Sequence, residues 1–273
     1  MAAPARSPDR GRAVAVLVVV GIVAIALIGA LGYLVISAIT NHRTPVAGPS
    51  PSVTASATGS ADAGSQQGRE DALAAAPMMQ LPQSAAQPQP LVTDSAGPPI
   101  VIPAPTAKVV PGGPPVATGF PHTPEGALAQ LAAIDEAALS TTDLDRVHEV
   151  YAWSAMPGAV SESEWSPTVG VKAIIDNLGG QQRAARAHAS FQAVEGQLKG
   201  TVGPDFVLAC VLGEADIVVD TVARIGVGDC QRMVWSGGRW RIGPGAQPAY
   251  APSAWPGSAD SVRAGWRVLK RAK

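Results

Sequence analysis

The feature that most constrains this chain is Ala13–Ile39, an uncharged apolar run that follows Arg6, Arg10 and Arg12. At about 1.5 Å per residue a helix of this length crosses a hydrocarbon core of roughly 30 Å with some tilt. No polar face interrupts it, which argues against a helix buried in a soluble protein. A cleavable secretory signal also starts basic and apolar, but its core runs about 7–15 residues and ends at a small-residue cleavage site. The exit here, Val35-Ile36-Ser37-Ala38-Ile39-Thr40, offers no good small-x-small pair. The run therefore reads as an uncleaved transmembrane helix.

Its flanks set the orientation. Three arginines precede the span against Asp9, whereas only Arg43 follows it before Arg69, so the positive-inside rule leaves the N-terminus in the cytoplasm and the remainder outside the cell. Tyr33 suits the outer interface. Ala26 and Ala30, beside Gly29, form a small-xxx-small pair that would serve a homo-oligomer.

Beyond the span the chain divides by composition. Residues 1–12 are a cytoplasmic stub, 13–39 the transmembrane helix, 40–118 a linker, 119–243 an extracytoplasmic domain and 244–273 a Pro-rich strap with a C-terminal amphipathic helix. The linker is dominated by Pro, Ser, Ala, Thr, Gly and Gln, as in Gln87-Pro88-Gln89-Pro90. With so little to bury it is expected to be disordered, giving a reach of about 50 Å. Within it, Asp71–Leu81 has the makings of a helical turn or two, and Pro99–Pro103 those of an extended strand laid against a partner.

Thr123-Pro124-Glu125 is a helix start: a capping hydroxyl, a proline at the first position and an acid at the positive dipole end. Leu128, Leu131, Ala132, Ala138 and Leu139 give this helix its apolar face. A second helix opens at Thr142 or Asp143 and carries Leu144, Val147, Val150, Tyr151 and Ser154 before Met156-Pro157-Gly158. Ser161–Glu164 is a turn or short helix, and Pro167–Leu178 a third helix ended by Gly179-Gly180. The pattern then changes. Ala187–Leu198, Phe206–Val219, Thr221–Trp235 and Arg239–Ile242 are rich in branched residues and read as four strands. A two-residue Gly237-Gly238 turn would set Trp235 opposite Trp240 and Met233 opposite Ile242; a Ser-Gly-Gly loop would shift the partners by one. Helices followed by a meander give an α+β fold, two to three helices packed on a curved antiparallel sheet of about four strands. Ser258 to about Lys270, with Val262, Trp266 and Leu269 on one stripe, reads as the last helix. It would dock on the acidic domain or serve a partner or membrane surface.

This layout, closing in Met233-Val234-Trp235-Ser236-Gly237-Gly238-Arg239-Trp240-Arg241-Ile242, resembles extracytoplasmic domains of the nuclear transport factor two-like superfamily over Phe120–Ile242. It is similar in particular to membrane-anchored conjugation and type IV secretion proteins and to anchored proteins of Gram-positive mobile elements. The resemblance implies a cone-shaped α+β domain acting as a scaffold in an envelope assembly, with other envelope proteins as partners.

Residues 119–243 carry nine Lys/Arg against fifteen Asp/Glu, and that acidic balance argues against a nucleic-acid partner. No phosphate loop, zinc set or nucleophile elbow occurs, so no catalytic, cofactor-binding or metal residues are assigned. His122, His148 and His188 are scattered; His148 lies near Asp145 on a polar helix side. Asp135-Glu136 reads as a solvated face. Were a carboxylate hidden in a cone pocket, Asp216 or Asp220 would be the candidates. Cys210 and Cys230 lie ten residues either side of Asp220, so a hairpin turning there sets them opposite each other, within reach of a disulfide. Two buried free cysteines are the alternative. Two function classes remain: a non-enzymatic interaction domain held off the membrane by a tether, or an anchored small-molecule-binding or isomerase-like enzyme with a cone-shaped pocket.

Overall fold

The computed structural model describes residues 64–107 and 113–272, so the apolar run Ala13–Ile39, and every expectation placed on residues 1–63, lies outside the described residues. The elements are α1 (Gln66–Ala75), β1 (Ile100–Ile102), α2 (Pro124–Leu139), α3 (Leu144–Ser154), α4 (Ser166–Asn177), α5 (Gln181–Ala184), β2 (His188–Val202), β3 (Phe206–Val218), β4 (Val222–Ser236), β5 (Arg239–Ile242), α6 (Ala259–Arg263) and β6 (Arg267–Arg271). The fold is α+β. Its six strands run in the order β1-β6-β2-β3-β4-β5, curled into a half-barrel.

Local chemistry accounts for the helix starts. Thr123 accepts the Gly126 N–H at 3.1 Å, and Pro124 opens α2 where its missing N–H costs nothing. Of the two candidate caps of α3 the chain uses Asp143, which accepts the Asp145 N–H at 3.0 Å. The β4–β5 hairpin turns on Gly237 and Gly238 at φ +60° and +80°, both left-handed, so the loop has two residues. Trp235 accordingly faces Trp240, and Met233 faces Ile242. Cys210 and Cys230 are register partners in β3 and β4 and form a disulfide.

The sheet is covered on both faces. On the concave side Leu128, Leu131 and Ile134 of α2 are fully buried against Val207, Ala209 and Val211 of β3, Met233 of β4 and Trp240 of β5. On the convex side Cys210, Leu212 and Cys230 meet Met78, Leu81, Ala254 and Trp266. Leu73 and Ala74 of α1 cover Val202, Phe206 and Leu208 beside them.

That second layer corrects two expectations. Part of the stretch read as a disordered linker, residues 64–107, is folded onto the sheet. Ser65 caps α1, Asp71 pairs with the buried Arg232 guanidinium at 2.7 Å, and Gly200 lets Leu73 lie directly on β2. Ile100–Ile102 does become a strand, and its partner is β6 of the same chain. The C-terminal segment was expected to be one helix from Ser258 to about Lys270. Instead α6 stops at Arg263, Gly265 adopts φ +86°, and Arg267–Arg271 is a strand between β1 and β2. Trp266 and Leu269 then serve opposite faces of the sheet, Trp266 the convex cluster and Leu269 the main core. These two segments raise the strand count from about four to six.

The N-terminal segment and the strap after β5 also hold each other. Ala249 N–H donates to Ala74 O at 2.9 Å, Trp255 N–H to Ala85 O at 2.6 Å and Val92 N–H to Gly257 O at 2.9 Å. The strap crosses β4 so closely that a Cβ at Gly226 would sit 1.8 Å from the Ala254 carbonyl oxygen. Glycine is required there by contact, not by backbone angle.

Candidate functional site

A buried polar cluster lies where α2, the start of α4, the middle of β4 and the strap converge. Along β4 the side chains alternate: Cys230 and Arg232 face the convex layer, while Asp229 and Gln231 point the other way, toward Ser166. Ser166 donates its hydroxyl hydrogen to Asp229 Oδ1. The Gln231 amide donates to Asp229 Oδ2 at 2.8 Å and to Ser166 Oγ at 3.2 Å. From the strap, the Gln247 amide donates to Ser166 Oγ at 3.1 Å and to Cys230 O at 3.2 Å, which covers part of the bare edge of β4.

Asp135 approaches from α2 and is 0% exposed, with no hydrogen bond to either carboxylate oxygen. Burial pushes its pKa well above the usual carboxylate range, and the negative charge of Asp229 adds to the shift. The Asp229 carboxyl is pushed up by burial to about 6, opposed by its hydrogen bonds from Ser166, Gln231 and the Cys230 backbone. Buried against each other, the two carboxyls resist ionising together, and both are raised.

A cavity of about 90 Å³ opens beside Asp229, Ser166 and Gln247. Its walls include Met79, Leu81, Tyr250 and Pro252, from the N-terminal segment and the strap. Ligand pockets that enclose drug-sized molecules run to about 300–1,000 Å³, so this one admits a side-chain-sized group.

Placement corrects the sequence reading of the acids. Asp135 is not on a solvated face, because α2 is buried nearly all round: from Gly126 to Asp135 every residue is buried between the sheet and its covering elements. Its neighbour Glu136 accepts the Ala193 N–H at 3.2 Å and pairs with Arg271. Asp216 and Asp220, named as candidates for a pocket acid, are not among the residues lining the cavity beside Asp229. Asp216 sits 3.3 Å from Arg224, and Asp220 pairs with Arg183 at 3.0 Å on the exposed β3–β4 turn. The carboxyl sequence reasoning missed is Asp229, whose signal was its place between Gly228 and Cys230 in a strand rich in apolar residues.

The histidines stand apart from this cluster. His148 pairs with Glu162 at 2.8 Å, not with Asp145, and its side chain is 64% exposed. His122 stacks on Trp235 with ring centroids 4.5 Å apart and lies 2.9 Å from Asp205. His188 is exposed at the start of β2. Among the described residues no group of three or more His, Cys, Asp or Glu is placed to hold a metal ion, and no helix is long and apolar enough to cross a membrane. No family model, curated protein or solved structure matches the chain.

Proposed function

We propose that this chain is a single-pass membrane-anchored extracytoplasmic protein, its N-terminus in the cytoplasm, whose folded unit is a non-enzymatic interaction or scaffold domain of the nuclear transport factor two-like kind. In this reading it works within a conjugation or secretion apparatus. The observation that carries the choice against an enzyme is the concave face of the sheet. The space where a cone-shaped fold would keep its substrate is filled by Leu128, Leu131 and Ile134 against Met233 and Trp240. The charged surface of residues 119–243 and the apolar span Ala13–Ile39 support an assembly role at the membrane.

The anchor also bounds where the domain works. Residues 40–63 lie between Ile39 and Gly64, and a chain of that length extends to at most about 80–85 Å. Partners therefore lie on or near the same membrane. Val218 and Val222, both exposed at the β3–β4 tip, are apolar contacts available to them.

The test is in-cell crosslinking followed by purification from membranes. Recovery of components of a secretion or conjugation machine supports the reading. Recovery of no envelope protein, in cells where the chain is abundant, overturns it.

The second function class has one observation in its favour, the carboxyl of Asp229 beside a cavity. That cavity lies at the β4 edge, between the strap and the N-terminal segment, and its lining includes neither Asp216 nor Asp220.

A further inference from the structure

We infer that the cavity beside Asp229 is a binding site for a primary alkylammonium group, its charge received by Asp229 and its aliphatic stem by the Met79, Leu81 and Pro252 walls. The inference stands apart from the scaffold reading and requires no partner protein.

The hydrogen-bond inventory of the cluster defines the ligand. Gln231 and Gln247 each have two amide hydrogens, and all four are spent within the protein, on Asp229, Ser166 and Cys230 O. Ser166 has one hydroxyl hydrogen, and Asp229 takes it. These assignments are fixed by the acceptors: Cys230 O and an ionised Asp229 accept only, so both amides must turn their nitrogen toward them. The remainder is all acceptor. Gln247 Oε1, on a residue lining the cavity, is buried with no partner, as is Gln231 Oε1 on a residue 1% exposed. Asp229 accepts from Ser166, Gln231 and the Cys230 backbone N–H, which leaves its carboxylate one further lone pair. An occupant of the cavity is therefore met by two acceptors, the Asp229 carboxylate and Gln247 Oε1, and pairs with them by bringing donors.

A primary ammonium brings three donors and a full charge. Pairing the buried carboxylate offsets a desolvation that Asp229 otherwise bears with neutral partners only. The facing groups from each packed element are Asp135 on α2, Ser166 on α4, Gln231 on β4, Gln80 on the N-terminal segment, and Gln247 and Tyr250 on the strap; the other titratable ones are Asp135, whose pKa is raised by burial and by the Asp229 charge, and the Tyr250 phenol. The size limit agrees, since about 90 Å³ accommodates a short stem and no larger ligand. A free alkylamine and the lysine side chain of a polypeptide share this chemistry.

The test is calorimetric titration of the full chain in detergent at pH 7.5 with n-butylammonium, with n-butanol and with Nα-acetyl-lysine amide. The expected result is saturable binding of one n-butylammonium per chain, with n-butanol at least tenfold weaker. Tighter binding of the lysine amide identifies a polypeptide lysine as the source, and weaker binding identifies a free amine; either supports the site. Asp229→Asn should weaken n-butylammonium at least tenfold. So should Ala249→Leu, which fills the cavity and leaves the carboxyl in place, and which decides the question if the Asp229 variant fails to fold. At pH 5 the proton competes for Asp229 and affinity should fall about tenfold. Equal affinity for n-butanol, unchanged affinity in the folded variants, or no binding of either amine overturns the inference.

Discussion

Replacing Asp229 with Asn probes the buried cluster through its cost to stability. A carboxyl whose pKa is 3.8 in the unfolded chain and about 6 in the folded one holds its proton longer in the folded state. Between those values the folded protein binds more protons, so stability falls as pH rises from about 4 to 6 and the full penalty remains above that. A shift of roughly two pKa units corresponds to about 3 kcal/mol. Asn cannot ionise, and losing the Asp229 charge also relieves Asp135, which shifts in the same direction. The substitution itself disturbs the hydrogen bonds from Ser166 and Gln231, and that disturbance shifts the variant by a similar amount at every pH. The informative quantity is therefore how the stability difference between variant and wild type changes with pH. In urea unfolding, the variant should gain about 3 kcal/mol on the wild type between pH 3.5 and pH 8. A difference that stays constant with pH, or that moves against the variant as pH rises, would refute the assignment of a buried, reluctantly ionised Asp229.

Two further variants test the layers around the cluster. Replacing Cys210 and Cys230 together with Ala opens a loop of 20 residues and should lower stability by about 3 kcal/mol in urea, with no further loss on adding reductant. Gly226→Ala places a methyl against the Ala254 carbonyl, which only a backbone shift of the strap can relieve. A loss of about 1–3 kcal/mol is expected, together with faster proteolysis between residues 244 and 258.

What could be read from the sequence was what local chemistry decides. Thr123-Pro124-Glu125 starts α2 through groups within three residues of one another, and Gly237-Gly238 sets the register of Trp235 and Trp240 by its own backbone preference. The disulfide followed from the symmetry of Cys210 and Cys230 about a single turn. Long-range coverage could not be read this way. The anchors of the N-terminal segment, Leu73, Ala74, Met78, Leu81, Ile100 and Ile102, form only two short periodic groups set among Pro, Ser, Ala and Gln, so composition pointed to disorder. The compensating signal lay elsewhere, in Phe206–Leu212, an unbroken apolar run in which every residue is buried. Such a strand needs cover on both faces. Val262, Trp266 and Leu269 do fit a helical stripe, but Gly265 interrupts them and turns the chain into β6. Asp135 looked exposed beside Glu136, yet the eight residues before it contain Gln130 as their only polar side chain. A helix apolar on all sides is a buried helix.

The proposed placement of the folded unit outside the cell, on a chain proposed to be held in the membrane by Ala13–Ile39, is the central claim. Adding protease to intact cells that carry the full chain with an epitope at each end measures this directly. Loss of the C-terminal epitope with the N-terminal one retained in the membrane fraction, and Cys210 and Cys230 resistant to alkylation until reduced, is the predicted result. Recovery of the intact chain from the cytosol with both thiols alkylated at once would contradict it.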